Sequence, residues 1–150
     1  GAHRLMAEVT HPGRVLAFSL TSFAVPVASN RLAIEVSAVG GSDVQCLPLE
    51  IAGLSGMWVL NSTRVVRCLD ESRSEFIKWT SQDHRADLAG QYRQVTKLTV
   101  DVTAIPPAAH FFRIDGWQVA LIVSEAMKAA MERVGCLGAT FSEVTPQLEN

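Results

Sequence analysis

Residues 111–135 constrain the fold more tightly than any other stretch. Two apolar runs, Phe111-Phe112-Arg113-Ile114 and Val119-Ala120-Leu121-Ile122-Val123, bracket Asp115-Gly116, the pattern of two strands joined by a tight turn. Ser124 follows at once. Its hydroxyl suits a helix N-cap, because it can accept from a backbone N–H that has no partner within the helix, and Glu125 sits at the positive end of the helix dipole. Met127, Ala130, Met131 and Val134 then recur at i, i+3, i+4 and i+7, with Lys128, Glu132 and Arg133 mainly on the other side and Gly135 as a stop. The spacing predicts a helix over 124–134 that lies with its apolar stripe on a sheet.

The rest of the chain adds strands and one more helix. Ala28, Leu32, Val36 and Val39 fall near helical spacing between Pro26, which suits a first helical turn, and Gly40-Gly41, which stops it. This predicts a helix over 26–39. Strands are expected at 44–49, with Pro48 favouring an edge, at 57–60 after a Gly53–Gly56 turn, and at 65–69 after a break at Asn61-Ser62. The last two read as a hairpin or meander. Phe76–Trp79, the alternating Lys97–Val102 and the final 139–144 complete the set, and residues 80–91 form the most polar loop. His11-Pro12-Gly13 marks a turn, and Val15–Phe18 reads as a short strand or packed segment. The expected fold is α+β, a mostly antiparallel sheet with two principal helices against it, in a single domain over 1–150 whose residues 145–150 are a flexible tail.

Composition narrows the function by exclusion. Of 150 residues, 48% are hydrophobic and 19% charged, enough apolar content for a packed interior. No apolar run approaches the ~20 residues of a spanning helix, so no membrane partner is expected. The formal charge of −2 argues against direct nucleic-acid binding, which needs a concentrated basic surface. Cys46, Cys68 and Cys136 are sparse and odd in number, as suits reduced thiols in the cytoplasm. The beginning, Gly1-Ala2-His3-Arg4-Leu5, lacks an initiator Met and a secretory pattern.

No constellation of catalytic or metal-binding type stands out. His3, His11, His84 and His110 have no HxH or HxxxH pairing. Gly40-Gly41-Ser42-Asp43 lacks the Lys-Ser/Thr ending of a phosphate loop, and Gly53-Leu54-Ser55-Gly56 is not a GxSxG elbow. Cys68, in an apolar run, reads as a buried small hydrophobe. No catalytic, metal or cofactor residues are therefore assigned, and no cofactor is expected. The densest charge cluster is Asp70-Glu71-Ser72-Arg73-Ser74-Glu75. It reads either as a solvated turn or as a contact patch in which Asp70, Glu71 and Glu75 steer a basic partner. Trp58, Trp79 and Trp117 are core candidates, any one of which would anchor an interface if exposed.

Several of these pieces, in order, resemble one family. They are Asp43-Val44-Gln45 with Leu47-Pro48-Leu49, then Trp58-Val59-Leu60-Asn61, Thr63-Arg64-Val65-Val66-Arg67-Cys68-Leu69-Asp70-Glu71 and Ser74. Gly90-Gln91-Tyr92, Phe112-Arg113, Gly116-Trp117, Leu121–Glu125, and Gly138 before Phe141 follow. The set resembles immunity protein family eleven, which accompanies polymorphic toxins. The resemblance implies a cytoplasmic protein that neutralises a toxin encoded nearby, nucleases among the candidate toxins, by binding rather than catalysis. It also implies an upstream segment beyond Gly1, since family members usually begin earlier. A homo-oligomer is compatible with it. Two other readings stay open: a small enzyme using Asp83, His84 and Asp87 in the 80–91 loop, and a structural or oligomerisation domain of a larger chain.

Overall fold

The computed structural model describes residues 18–21, 26–51, 54–135 and 140–146. In chain order they form β1 (Phe18–Thr21), β2 (Val27–Ser29), α1 (Asn30–Gly40), β3 (Val44–Ile51), β4 (Leu54–Ser62), β5 (Val65–Val66), β6 (Glu75–Lys78), β7 (Tyr92–Lys97), β8 (Phe111–Ile114), β9 (Trp117–Ser124), α2 (Glu125–Arg133) and β10 (Phe141–Glu143). The main sheet has the order β10-β1-β9-β8-β5, a second has β2-β4-β3, and β6 and β7 form a two-stranded ribbon. All pairings are antiparallel except β5 with β8. The fold is α+β.

The 111–135 stretch folds as its pattern predicts. Gly116, at φ 84°, makes the turn between β8 and β9, a left-handed conformation that costs other residues a clash at Cβ. Ser124 Oγ accepts from Met127 N–H at 3.1 Å and so caps α2. Along β8 and β9 the side chains alternate between two cores. Phe111, Leu121 and Val123 face the helices, packed with Leu32, Val36, Met127 and Met131. Phe112, Ile114, Ala120 and Ile122 face the other side, covered by Val66, Cys68, Val100, Ile105, Ala109 and Val144. A strand buried on both faces reads as a continuous apolar run, which is why Ala120–Val123 shows no alternation. Each large side chain fully buried there contributes about 1.5–3 kcal/mol, while a cap contributes about 1 kcal/mol. Packing therefore decides that α2 lies on the sheet, and Ser124 decides where it begins.

α1 starts later than its pattern suggested. Residues 27–29 are an edge strand on β4, and Pro26 O accepts from Leu60 N–H at 2.9 Å, so Pro26 serves the sheet and not a first helical turn. Ser29 is the N-cap, accepting from Leu32 N–H at 3.2 Å. Gly40 is buried where α1 meets α2: a Cβ there would come within 2.6 Å of Val44 Cγ2 and 3.1 Å of Met127 Cε.

Other boundaries shift for identifiable reasons. Gly56 lies inside β4, and Ile51 pairs with Leu54, so the expected 53–56 turn is already strand from Leu54 onward. Asn61 and Ser62 continue that strand; the break comes at Thr63, whose N–H donates to Asp43 O at 2.9 Å. From there the chain crosses to the main sheet, so β5 runs parallel to β8 and forms no hairpin with β4. The strand expected at 97–102 is instead β7 at 92–97, while 98–101 makes only an isolated bridge, Leu69 to Val100. Its alternating side chains close the second core from outside the sheet. The expectations at His11–Gly13, Val15–Ala17, Gly53, Cys136, residue 139 and 147–150 fall outside the described residues.

Asp43, 2% exposed, ties these parts together. Arg64 Nε donates to its Oδ1 at 2.5 Å, and His110 N–H donates to its Oδ2 at 3.0 Å. His110 Nδ1 lies 2.7 Å from Ser124 Oγ. Pro48 meets its expectation on β3, an edge strand. Since Leu60 N–H points to β2, the residues of β4 that bond β3 are its odd neighbours, and in register Leu47 and Leu49 bond inward while Pro48 faces the free edge. A proline there removes a donor that a second strand would use.

Two outcomes are expected. Ser124→Ala lowers stability by about 1 kcal/mol or more through the lost cap, read as a reduced urea midpoint at unchanged slope. Pro48→Thr restores an edge donor and produces concentration-dependent self-association in sedimentation velocity.

Candidate functional site

Residues 70–97 stand away from both cores, Leu98 packs on the edge of the second, and none of residues 70–98 has a buried side chain. They comprise the acidic turn, β6, the polar loop and β7, and together make an arm. Its foot is held by hydrogen bonds to the body. Asp70 N–H donates to Thr99 O at 2.8 Å. Ser74 Oγ donates to Thr99 O at 3.0 Å and accepts from Thr99 N–H at 2.9 Å. Tyr92 N–H donates to Gly116 O at 3.1 Å, joining β7 to the β8–β9 turn.

The three acidic residues of the turn have different situations. Asp70 Oδ1 accepts from Ser72 N–H at 3.0 Å and Ser72 Oγ at 2.7 Å, the geometry of a side chain stabilising its own turn. Glu71 Oε2 receives both Lys78 Nζ at 2.7 Å and Tyr92 O–H at 2.6 Å. These two bonds, Lys78 first, hold the Glu71 carboxyl below its usual range. Tyr92 is pushed the other way, above the ordinary phenol value, by burial and then by Glu71. Glu75 opens β6 opposite Lys97 and is exposed, with no side-chain hydrogen bond or ion pair among the described residues.

Further along the arm, Trp79 is half-buried between His84, edge-on at 5.3 Å, and the Arg93 guanidinium at 5.5 Å. Ile77, two residues earlier in the chain, is 52% exposed. Trp58 and Trp117 pack instead against the two cores.

The loop does not assemble the acid–base group considered from the sequence. Asp83 accepts from Thr80 N–H at 2.7 Å, and Asp87 takes two bonds at 3.0 Å from Arg85. Both carboxyls are thereby held lower than usual, Asp83 chiefly by the Thr80 N–H and Asp87 chiefly by Arg85. General acid–base work wants a value nearer the working pH. His84 is exposed and lies outside the cleft described next.

Ser124, His110 and Asp43 also sit together, but not as a nucleophile site. Ser124 is fully buried and serves as a cap, and Asp43 faces the His110 backbone rather than its ring. Cys68 is a buried hydrophobe as expected, its thiol pushed up to about 12 by burial and then by Asp101. Ser55 falls within β4. Among the described residues no group of three or more His, Cys, Asp or Glu is placed to hold a metal, and no helix is long and apolar enough to cross a membrane.

Between arm and body lies a cleft of about 350 Å³. Its walls carry Arg67, Glu71, Lys78, Gln91, Tyr92 and Asp115, with Leu69, Gly90 and Gly116 completing the lining. Arg67, Glu71, Gln91, Tyr92 and Gly116 all belong to the ordered motifs quoted from the sequence, which gave no hint that five such separated residues meet. The model of the immunity protein family Imm11 matches residues 53–146, the whole arm and cleft included. The chain belongs to this immunity family. No curated protein matches the chain. Within the match, the immunity protein keeps its second core and all of α2, while α1 and Asp43 lie before it.

Tyr92 is the only tyrosine of the immunity protein, so phenol absorbance reports on this contact directly. Glu71 contributes stability above its ordinary pKa, and that contribution fades as pH falls through the lowered folded value. At the other end, stability falls as pH rises from the ordinary phenol value through the raised Tyr92 value. In Glu71→Gln, Tyr92 is expected to titrate at lower pH than in the parent protein, because the negative charge of Glu71 that helps raise it is gone and the amide oxygen is a weaker acceptor. An unchanged ultraviolet titration would show that the Glu71–Tyr92 bond does not persist in solution.

Proposed function

We propose that the protein neutralises a cognate toxin, encoded nearby, by binding it without catalysis in the cytoplasm of the producing cell. The arm is the contact element. Membership of the immunity family supports the class of function, and the observation that carries the choice of surface is the arm's lack of any buried side chain over 70–98. A stretch of this length held in fixed geometry yet uncovered supplies about the 20–30 residues that one side of a standard interface uses. Arg93 stacks on Trp79 there and Ile77 is exposed on the same arm, and aromatic and arginine side chains are the commonest sources of binding energy at such surfaces.

The three acidic candidates divide within this reading. Asp70 and Glu71 shape the turn and the clasp, so their influence on a partner is partly indirect. Glu75 is the carboxylate best placed to steer a basic toxin surface. Should the toxin be a nuclease, the basic face it uses for phosphate would attract such a group.

The test is co-expression with the product of the adjacent gene. Restored growth together with a co-purifying complex is expected; failure of both rejects the reading. Within the complex, Glu75→Lys is expected to lower the association rate and weaken its salt dependence. Trp79→Ala is expected to raise the dissociation rate by roughly thirtyfold, the scale of a 2 kcal/mol anchor. Surface plasmon resonance at two ionic strengths separates the effects.

A further inference from the structure

The cleft at the foot of the arm has a composition that toxin binding does not explain. Glu71, Lys78 and Tyr92 satisfy one another there through a single oxygen, Glu71 Oε2. Arg67 and Asp115 do not. They follow β5 and β8 on neighbouring parallel strands, with Val66 in register with Ile114 and Asp115 N–H donating to Val66 O at 2.9 Å. Both side chains are exposed, at adjacent sheet positions where opposite charges can pair. Yet among the described residues neither side chain has a hydrogen bond or an ion pair, and both line the cleft. Gln91, exposed beside them, adds an amide that can donate and accept.

Charge selects the kind of occupant. Lys78 and Glu71 cancel, and so do Arg67 and Asp115, so a lone anion or a lone cation gains from one wall what it loses to the other. A molecule carrying both charges a few ångströms apart satisfies both: its carboxylate takes the Arg67 fork, and its ammonium takes Asp115. The volume of about 350 Å³ stands at the small end of ligand pockets. Leu69 and the Tyr92 ring offer limited apolar surface for a short side chain. We propose that this cleft is a binding site for a small zwitterion of the free α-amino-acid class.

The probe is L-glutamine, titrated into the isotopically labelled full chain, with acetate and methylamine as single-charge controls. The expected result is saturable displacement of the Tyr92 and Gly116 amide resonances by L-glutamine, with a Kd on the order of 1 mM, and little response to either control. Arg67→Gln and Asp115→Asn are each expected to weaken binding about tenfold or more; neither residue takes part in the hydrogen bonds that join Glu71 to Lys78 and Tyr92. The paired exchange Arg67→Asp with Asp115→Arg reverses the dipole and is expected to restore binding, since the ligand can turn round. Absence of a saturable response to L-glutamine overturns the proposal, as does acetate binding equally well or a paired exchange no better than its single changes. Toxin co-purification is a separate readout, so loss of one function leaves the other assessable.

Discussion

Asp43 is the interaction on which the arrangement of the body depends. Its carboxylate is buried, and its two oxygens are divided between Arg64 and the backbone of His110. A buried charge without partners is far costlier than one with them. Removing one partner of a buried pair costs about 3 kcal/mol at the low end of the usual range, and that end applies because Arg64 is about one-third exposed. The consequence is geometric as much as energetic. One side chain fixes the end of α1, the crossing from β4 to β5 and the start of β8, and through His110 and Ser124 it reaches the start of α2. Burial outweighs the attraction of Asp43 and keeps the His110 pKa below its ordinary value, so the ring at this junction favours the neutral form.

From that junction the chain builds two cores on opposite faces of one sheet. β9 belongs to both, so neither of its faces tolerates a polar residue between Ala120 and Val123. The helical face is closed by α1 and α2, and Gly40 leaves the room that Val44 Cγ2 and Met127 Cε occupy. The opposite face is closed by residues 98–109, largely irregular chain with a 3-10 turn at Val102–Ala104, together with Val144. Irregular backbone needs its own hydrogen bonds when buried, and Asp101 N–H to Cys68 O and Val100 N–H to Val144 O supply two of them. This explains why Lys97–Val102 looks like a strand in sequence: its apolar side chains, Leu98, Val100 and Val102, all pack on the core although its backbone leaves the ladder.

Local signals were legible, and distant ones were not. α2 could be read because cap, stripe and stop all lie within one short window. α1 was misplaced at its start because Pro26 fits a first helical turn and an edge strand equally well, and only Leu60, far along the chain, selects the strand. Pro48 could be placed on an edge from its missing donor alone. The parallel pairing of β5 with β8 carried no local mark, since a parallel partner is always remote in sequence. The candidate site follows the same division. Asp70, Glu71 and Glu75 were visible as a charge cluster, but their differing roles depend on Tyr92, Lys78 and Lys97, which folding alone brings alongside. The match to Imm11 spans the elements that build the cleft, and the ordered motifs had marked them without revealing that they converge.

The arm then poses a physical question, because nothing in it is buried. Fixing a residue's backbone costs about 1–2 kcal/mol, and a net hydrogen bond returns only about 0.5–1.5 kcal/mol. An element of this composition cannot hold itself. Its order comes from the foot, where Thr99, Ser74 and Gly116 attach it to residues that are packed, and from side-chain stacks such as Arg93 on Trp79. Such an arrangement is poor for stability and good for recognition. Each rotamer-rich side chain that must be ordered on binding costs about 0.5–1.5 kcal/mol, and here Lys78, Trp79, Tyr92 and Arg93 are already held before a partner arrives. A polar arm on a rigid foot thus presents an uncovered surface whose ordering cost has been met by the fold, and that is the physical property an inhibitor needs if it is to bind quickly and leave slowly.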